Sequence, residues 1–390
     1  MIAFENPLAV YLHVPFCRVK CTYCAFNTYV DLDALIEPFV QALIREIHLV
    51  GTSKPGQRVG TIFFGGGTPT LLTPDQFARI LDALHQAFVV LPGAEISLEA
   101  NPSDITRPYL TALRQAGLNR ISIGMQSAVE SELRLFNRRH DNDTVVRAVS
   151  AARLAGFDNL NLDVIYAVPH QTLENWDATL TQMLALKPDH VSLYALTLED
   201  NTHMKLWVEK GRLPQPDDDL AADMYDLATD KLGAAGFEQY EISNWSLPGK
   251  QCQHNLQYWR SLPYLGLGPG AHGFADRVRY SVILSPQRYI KLLENPDGGY
   301  EYPRTPVTAE ANLLTLADEM AETLIMGLRL TQEGIQRETF RQRFGVDLID
   351  VHGDIIRKYA AHHLMGFDDQ RVWITTQGRL LSSMIFREFV

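Results

Sequence analysis

The 390-residue sequence has few cysteines, a deficit of positive charge and no long apolar run. Four cysteines are too few for a disulfide framework in a chain of this length, and the first residues lack the basic start of a secretory signal. No stretch of about 18 apolar residues is present, so we expect no membrane-spanning helix. Thirty-five basic against 46 acidic residues give a net charge of -11, the wrong sign for general nucleic-acid binding. We therefore expect a cytoplasmic, reducing environment with free thiols and no nucleic-acid partner.

The hydrophobic pattern predicts a parallel α/β architecture. The apolar content of 46% is enough for one large core and a small second domain. Short apolar runs alternate with longer amphipathic ones, which is typical of repeated βα units. The predicted strands are residues 9–13, 61–64, 95–99, 120–123, 159–163 and 190–194, and the predicted helices are residues 35–50, 74–88, 107–116, 144–155 and 173–186. Such units favour a barrel, complete or partial, or a doubly wound sheet.

Three of the four cysteines lie within eight residues, in the stretch YLHVPFCRVKCTYCAF that begins at Tyr11. Cys17, Cys21 and Cys24 form a C-x3-C-x2-C array directly after the first predicted strand. Three soft ligands on one loop suit a metal that prefers sulfur, and an iron-sulfur cubane with three local ligands has one iron open for chemistry. Zinc is the competing interpretation, with Cys252 or a histidine as the fourth ligand.

Polar residues follow four further predicted strands at the point where each strand ends. In a parallel barrel the carboxyl ends of the strands share one rim, and active sites are built there. We expect these residues to lie close to the cysteines: Gly65, Gly66, Gly67 and Thr68, then Glu99 and Asn101, Gln126 and Ser127, and Asp163.

Each of these groups also has an ordinary structural explanation. Gly65 to Gly67 could form a tight turn, although exposed backbone groups there could hold the amino or carboxylate group of an amino-acid ligand. Glu99 and Asp163 could cap helices or bind ribose hydroxyls or an ammonium group. Arg138 could lie on a solvated helix face or pair with a ligand carboxylate.

Six segments in order resemble the radical S-adenosylmethionine (SAM) proteins related to oxygen-independent coproporphyrinogen III oxidase: YLHVPFCRVKCTYCAF, FFGGGTPT, SLEANP, RISIGMQS, NLDVIYAVP and QCQHNLQYW. The resemblance covers nearly the whole chain. It implies a partial (β/α)6 barrel with a helical C-terminal domain. It also implies a 4Fe-4S cluster whose open iron chelates SAM, which one electron then cleaves to methionine and a 5′-deoxyadenosyl radical.

The resemblance also assigns individual residues. Cys17, Cys21 and Cys24 become the cluster ligands, and Tyr11 and Tyr23 flank the cluster and SAM. The further implied SAM contacts are Gly66, Gly67, Thr68, Glu99, Gln126, Arg138 and Asp163. These residues overlap with the rim residues expected from the strand pattern.

Two branches of the family differ at positions that this chain specifies. The oxidase carries a fourth cysteine two residues after the third and a sizeable N-terminal extension, whereas this chain has Phe26 and ten residues before Tyr11. Both differences argue against coproporphyrinogen decarboxylation. The segment HNLQYW, residues 254–259, instead resembles the heme chaperone (HemW) branch, in which an H-N-x-x-Y-W segment is implicated in heme handling.

Heme ligands are predicted from the same segment. Imidazole suits heme iron, so His254 is the first candidate ligand, and Cys252 is a softer alternative two residues away. Tyr258 and Trp259 offer flat apolar faces to a porphyrin. Aromatic residues near a histidine also pack ordinary cores, which is the competing interpretation.

The last part of the chain is predicted to be a small, mainly helical, winged-helix-like domain after a linker at residues 302–306. Its predicted helices are residues 309–330, 336–344 and 348–363, followed by a strand at 372–374 and a last helix from residue 376. We expect two domains: residues 1–300, a barrel with the cluster, the SAM site and the H-N-x-x-Y-W segment, and residues 301–390.

The leading functional hypothesis is a heme chaperone that binds a 4Fe-4S cluster, SAM and heme and passes heme to apo-hemoproteins. The alternatives are an oxygen-independent coproporphyrinogen III oxidase and a related radical SAM methyltransferase. SAM cleavage would add an electron donor as a partner. A homodimer and peripheral contact with a membrane are left open.

Overall fold

Six parallel strands form the centre of the chain, as the sequence predicts. The structure, a computed structural model, describes residues 6–296 and 299–389. Neighbouring strands pair in sequence order, so their carboxyl ends lie on one side. The strands are β1 (Leu8–Val14), β2 (Arg58–Gly66), β3 (Val89–Ala100), β4 (Arg120–Gln126), β5 (Leu160–Tyr166) and β6 (His190–Ala195).

Helices connect these strands and begin at residues that cap them. Thr73 forms a capping box with Gln76 at the start of the second helix, and Thr106, Asp141 and Thr172 accept backbone N–H groups at the starts of later helices. The helices are α1 (Ile36–Ser53), α2 (Pro74–Ala87), α3 (Arg107–Ala116), α4 (Glu130–Leu135), α5 (Asn142–Leu154) and α6 (Leu173–Ala185).

Six further strands extend the sheet on both sides and were not predicted. They are β7 (Glu238–Glu241), β8 (Asn244–Ser246), β9 (Tyr264–Leu267), β10 (His272–Ala275), β11 (Val278–Val282) and β12 (Thr308–Leu313). The full order is β12-β11-β10-β9-β1-β2-β3-β4-β5-β6-β8-β7, and β9 runs parallel to β1. Because β7 and β12 are the two edges, the barrel is open.

Four helices accompany the added strands: α7 (His203–Glu209), α8 (Asp218–Ala234), α9 (Gln253–Trp259) and α10 (Pro286–Glu294). The helix α9 contains the HNLQYW segment. No helix in the described parts of the chain is long and apolar enough to cross a membrane.

The C-terminal region has its own core, separate from that of the barrel. Its elements are α11 (Leu316–Gly327), β13 (Ile335–Gln336), α12 (Arg337–Phe344), α13 (Leu348–Ala361), β14 (Met365–Phe367), β15 (Arg371–Ile374), α14 (Thr376–Leu380) and α15 (Ser382–Phe386). The strands form a three-stranded antiparallel sheet in the order β13-β15-β14, which agrees with a winged-helix-like arrangement.

Two details of the predicted tail are wrong. The predicted helix at residues 309–330 is a strand, β12, followed by the shorter helix α11, because residues 308–313 pair with β11. The last predicted helix is interrupted at Leu381, where α14 ends. The boundary at residue 300 stays a prediction.

Strand alternation gives the barrel an apolar outer face and a polar inner face. Outward residues such as Leu12, Phe64 and Leu98 are fully buried in the main core. The inner face instead carries polar residues two apart on each strand: Glu95, Ser97 and Glu99 on β3, Arg120 and Ser122 on β4, Asn161 and Asp163 on β5, and His190 and Ser192 on β6. The inside of the barrel is therefore built for a polar ligand rather than as a core.

Candidate functional site

The three clustered cysteines lie on the loop between β1 and α1, at the carboxyl end of β1. The loop is closed at its base, where the Cys17 N–H donates to the Tyr29 carbonyl at 2.9 Å and the Tyr29 N–H donates to the Pro15 carbonyl at 2.8 Å. All three thiols are free and their residues half-buried. Phe26, which follows them, is 65% exposed.

Neighbouring strand ends supply polar groups to two of these sulfurs. The Thr68 hydroxyl donates to Cys17 Sγ at 3.4 Å, and Arg138 Nη1 donates to Cys21 Sγ at 3.5 Å. Burial raises the pKa of the Cys17 thiol, and it raises the pKa of the Cys24 thiol to about 11. Because metals bind thiolates, loading this loop with a metal requires the release of protons.

The donor set fits an iron-sulfur cluster better than one metal ion. In the described residues, no three His, Cys, Asp or Glu side chains converge closely enough to hold a single ion. In a cubane each cysteine binds a different iron, so its sulfurs stand farther apart. Cys252, proposed above as a fourth zinc ligand, instead donates from Sγ to Glu95 Oε1 at 3.5 Å, in contact with β3. Three thiols on one loop would leave one iron of a cubane without a protein ligand.

A cavity of about 170 Å³ lies inside the barrel, and we call it the inner cavity. Six of its lining residues were not singled out from the sequence: Phe63, Arg120, Ser122, Asn161, Ser192 and Tyr194. The signal that could have found them is the spacing of polar residues two apart within apolar strands. The complete lining is Tyr11, Phe63, Glu99, Arg120, Ser122, Asn161, Asp163, Ser192, Tyr194, His254, Asn255 and Tyr258.

Glu99 and Asp163 face this cavity as a pair of buried carboxyl groups. Burial, with the nearby Asp163 as a second cause, raises the pKa of Glu99 to about 8, although the Gly66 N–H donates to Glu99 Oε2 at 3.1 Å. Burial also raises the pKa of Asp163, whose carboxylate accepts from Ser122 at 2.7 Å and from Asn161 at 2.8 Å. Two carboxyl groups with raised pKa values offer a site for a cationic or polyhydroxylated ligand.

The glycine run, Gly65 to Gly67, packs closely against the loop that carries Cys17, Cys21 and Cys24, which we call the cysteine loop. A side chain at Gly66, where φ is +106°, would lie 2.6 Å from the His13 ring, and one at Gly67 would lie 2.6 Å from the Phe16 carbonyl oxygen. The Gly67 N–H donates to the Val14 carbonyl and the Thr68 N–H to the Phe16 carbonyl, both at 2.8 Å. These two N–H groups therefore hold the loop, so a backbone contact of Gly67 or Thr68 with a ligand would use a carbonyl group.

Arg138 and Gln126 lie next to each other at the end of β4. Arg138 Nη2 donates to the Gly124 carbonyl at 2.9 Å, while its Nε is buried without a partner among the described residues. Gln126 has a positive φ of 65° and sits at a register shift between β4 and β5. A buried guanidinium with an unused N–H beside the cysteine loop can receive a ligand carboxylate.

The side chains of the two predicted tyrosines have different neighbours: Tyr11 lines the inner cavity, whereas Tyr23 packs against a small apolar cluster. The Tyr11 hydroxyl is hydrogen-bonded to His13 Nδ1 at 3.0 Å, and its ring stacks on Phe63 with centroids 6.2 Å apart. Tyr23 packs edge-on against Phe136 at 5.0 Å. The cysteine loop thus lies between the barrel interior and a small separate apolar cluster.

His254 and Cys252 lie at the start of α9, which forms the floor of the inner cavity. His254 is buried with both ring nitrogens used, since Nδ1 is hydrogen-bonded to Thr61 and Nε2 to Tyr258, each at 2.8 Å. Burial lowers the pKa of His254 to about 3 and raises the pKa of Cys252 to about 12. In this conformation neither side chain is open to a heme.

Glu95, which the sequence analysis did not single out, holds α9 in place. Its carboxylate accepts the backbone N–H of Gln253 at 3.1 Å and that of His254 at 3.0 Å, and Arg120 Nε lies 4.0 Å away. A carboxylate at the start of a helix is favourable for unpaired N–H groups. Glu95 therefore positions the whole HNLQYW segment.

Comparison with known proteins identifies the same two regions. Residues 11–183 match the model of the Radical SAM superfamily, and residues 314–381 match that of the HemN C-terminal domain. Several similar proteins carry the name Heme chaperone HemW, among them two that span nearly the whole chain. One, from Mycobacterium tuberculosis, is 36% identical over 98% of this chain and 94% of its own length. The other, from Bacillus subtilis, is 33% identical over 98% and 99%.

A solved structure shares the fold. Coproporphyrinogen III oxidase (HemN) from Escherichia coli, described as a radical SAM enzyme, superimposes with a TM-score of 0.83 at 24% identity, covering 100% of this chain and 91% of that one. The likeness shows that the open barrel and the C-terminal helical region follow the same architecture.

Proposed function

This chain belongs to the HemW family of radical SAM proteins, and on that premise we propose that it is a heme chaperone, which binds heme and passes it to apo-hemoproteins. The observation that carries the proposal is the similarity of 36% identity over nearly the full length to proteins named Heme chaperone HemW. Relatives that matched the barrel alone would support only the superfamily.

Membership of the superfamily implies a 4Fe-4S cluster and bound SAM. When bound, the cluster can supply an electron to SAM. We propose that Cys17, Cys21 and Cys24 hold the cluster, because these three thiols share one loop and receive hydrogen bonds from Thr68 and Arg138.

The proposed SAM contacts surround the space between the loop and the inner cavity. Arg138 suits the carboxylate of SAM, since its Nε lacks a partner, and the glycine run offers carbonyl groups to the ammonium. Glu99 and Asp163 suit cationic or hydroxyl groups. The full proposed set is Tyr11, Tyr23, Gly66, Gly67, Thr68, Glu99, Gln126, Arg138 and Asp163.

His254 and Cys252, the predicted ligands of the heme iron, are both buried and hydrogen-bonded in this structure. Their role as iron ligands stays a prediction. Ligation by His254 would require it to exchange its bond to Thr61 or Tyr258 for a bond to iron.

The proposal is tested by following the heme Soret band. Purified protein is titrated with hemin, and the heme-loaded protein is then mixed with an apo-hemoprotein. Stoichiometric binding followed by transfer to the apo-hemoprotein is expected. Absence of heme binding would contradict the chaperone.

A parallel anaerobic assay with coproporphyrinogen III and SAM covers the alternatives. Decarboxylated product would establish the oxidase, and methylated product with S-adenosylhomocysteine would establish a methyltransferase. Formation of 5′-deoxyadenosine alone does not discriminate, because a chaperone of this family can retain SAM cleavage.

A further inference from the structure

A second and larger cavity, of about 660 Å³, lies at the opposite end of the barrel from the cysteine loop, and we call it the lower pocket. It is lined by Leu8 and Arg58, the first residues of β1 and β2, and by Pro263 just before β9. Thr323 and Phe340 of the C-terminal region close its other side. Its volume lies within the range of pockets that bind sizeable organic ligands.

The helix α9 separates the two cavities. His254, Asn255 and Tyr258 line the inner cavity, whereas Trp259, the last residue of α9, and Arg260 line the lower pocket. The HNLQYW segment therefore faces both spaces, and its tryptophan is on the side where a large ligand has room.

The lower pocket combines apolar walls with an excess of positive charge. Its walls include Trp259, Phe274 and Phe340. Its charged side chains are five cations, Lys54, Arg58, Arg260, Arg277 and Arg343, and three carboxylates, Asp276, Glu319 and Glu333, which leaves two positive charges in excess. Heme is a flat apolar body with two carboxylate groups, so its charge complements this lining.

Four of the five cations already have carboxylate partners. Lys54 pairs with Asp276 at 2.5 Å, Arg260 with Glu333 at 2.7 Å, and Arg277 and Arg343 share Glu319 at 2.5 and 3.3 Å. Arg58 has no ion-pair or hydrogen-bond partner within the described residues, and the buried Trp259 Nε1 likewise has no acceptor there. An anionic ligand can therefore pair with Arg58 without breaking an ion pair of the described residues.

We propose that heme docks in the lower pocket, with its carboxylates at Arg58 and its porphyrin against Trp259, and without an iron ligand from the pocket. This inference rests on the proposed function and places its ligand. None of the residues lining the pocket is a His, Cys or Met. The Tyr302 hydroxyl accepts from Gln57 at 2.8 Å, and burial raises its pKa, so it is held as a neutral phenol.

Docking without an iron ligand suits a protein that must release its cargo. The recipient can offer its own axial ligands to an iron that the carrier has not ligated, and transfer then breaks porphyrin contacts and ion pairs only. The contacts proposed here predict that the metal-free porphyrin binds nearly as well as heme.

The test compares the dissociation constants of hemin and metal-free protoporphyrin IX, measured by absorbance and tryptophan fluorescence titration of the full chain. For the wild type we expect the two values to agree within about threefold. Arg58→Glu should weaken both by roughly fivefold to tenfold, because it reverses an unpaired charge at the pocket. Arg107→Glu is the matched control, since Arg107 is exposed, lines neither cavity and has no side-chain partner in the described residues.

A second variant tests the volume of the pocket rather than its charge. Thr339 lines the pocket from α12 and is exposed, so Thr339→Trp should fill space without removing a described side-chain bond, and should abolish most binding of both porphyrins. Circular dichroism and thermal melting establish that each variant is folded.

Several results would overturn the inference. Binding of hemin but not of protoporphyrin IX would show that an iron ligand is required. Unchanged binding by both pocket variants, equal weakening by Arg107→Glu, or loss of binding in His254→Ala alone would place heme elsewhere while leaving the chaperone function intact. Failure of the wild type to bind hemin would instead contradict the proposed function itself.

Discussion

Glu99 is a carboxyl group that its surroundings keep protonated at neutral pH. Burial and the neighbouring Asp163 raise its pKa to about 8. In water a glutamate would be ionised throughout this range. A cationic ligand in the inner cavity would stabilise the carboxylate, so binding of such a ligand is coupled to loss of a proton.

We therefore predict that SAM binds more tightly as the pH rises from 6.5 to 8.5. Below the pKa of Glu99, the affinity for SAM should fall about tenfold for each pH unit by which the pH is lowered, because the carboxyl must first lose its proton. Equilibrium dialysis of SAM against the anaerobically reconstituted protein measures this dependence. Glu99→Gln should bind SAM weakly, and its affinity should not change with pH. Asp163→Asn should shift the pH dependence of SAM binding to lower pH, because it removes one cause of the raised pKa of Glu99. A pH-independent affinity in the wild type would contradict the role of Glu99.

The cysteines fall into two groups by their surroundings. Cys24 is on the cysteine loop, whereas Cys252 is buried beside Glu95 and Arg120 with a pKa raised to about 12. Burial raises the pKa of both thiols, so the difference between them is position: Cys24 has two other thiols on its loop with which to bind a cluster, whereas the Cys252 thiol is alone and donates to Glu95.

We predict that Cys24→Ser loses most of the bound iron and sulfide after anaerobic reconstitution, and that Cys252→Ser retains them. The measurement is the iron and sulfide content per chain, together with the broad visible absorbance of the cluster. Equal loss of iron in both variants would mean that Cys252 also binds the cluster.

At the scale of single elements, α9 depends on a residue far away in the sequence. It has seven residues, too short to be stable alone, and Glu95 of β3 accepts N–H groups at its start. Glu95 also lies beside the buried Arg120, whose Nε has no hydrogen-bond partner in the described residues. Removing the carboxylate would leave unpaired N–H groups and a buried charge.

We predict that Glu95→Ala lowers the free energy of unfolding by roughly 3 kcal/mol, because one partner of a buried charge pair is removed. Urea unfolding followed by circular dichroism gives the value. Glu130→Ala is the control, since Glu130 is exposed and its pair with Arg134 at 2.5 Å should contribute about 0.5 kcal/mol. Similar effects of the two substitutions would show that Glu95 does not support α9.

The strand β12 and the helix α3 show where the sequence pattern predicts an element wrongly and where it predicts one correctly. Residues 308–313 have the composition of a helix start, yet they form β12, because pairing with β11 satisfies their backbone groups. Conversely, α3 begins and ends where its pattern predicts, because Thr106 caps its start and Gly117, with a φ of +113°, ends it. Local sequence signals predicted the bounds of α3 because capping residues mark both of its ends. They failed for β12 because pairing with another strand determines its conformation.

At the scale of the whole molecule, Glu46 joins distant parts of the barrel. From α1, its carboxyl group accepts hydrogen bonds from the Gly268 N–H at 2.9 Å, from Tyr289 at 2.6 Å and from Thr305 at 3.1 Å. Burial raises its pKa to about 7 in spite of these bonds. Since the folded pKa lies above the unfolded one, the contribution of Glu46 is fully present below about pH 4.5 and is lost as the pH rises through 7.

We predict that Glu46→Gln, which is neutral at every pH, is close to the wild type in stability at pH 5 and becomes the more stable of the two at pH 8. Chemical unfolding of both proteins at several pH values measures the difference. A constant difference across this range would mean that Glu46 does not titrate in the folded protein.

The sequence by itself determined the six parallel strands, the cysteine loop after the first of them, and the rim of residues from Gly66 to Asp163. These depend on local hydrophobic periods and on short motifs, both of which a single chain displays. It also predicted the C-terminal domain in outline, and Phe26 together with the HNLQYW segment separated the heme chaperone from the oxidase.

Only the tertiary structure decided what surrounds the HNLQYW segment. Thr61, which is 193 residues away in the sequence, and Tyr258, one helical turn away, use the two ring nitrogens of His254, the predicted ligand. Glu95, which is 159 residues away, accepts the backbone N–H of His254. The lower pocket exists because the starts of β1 and β2 approach the C-terminal region. Such juxtapositions depend on how finished elements pack, and no local pattern encodes them.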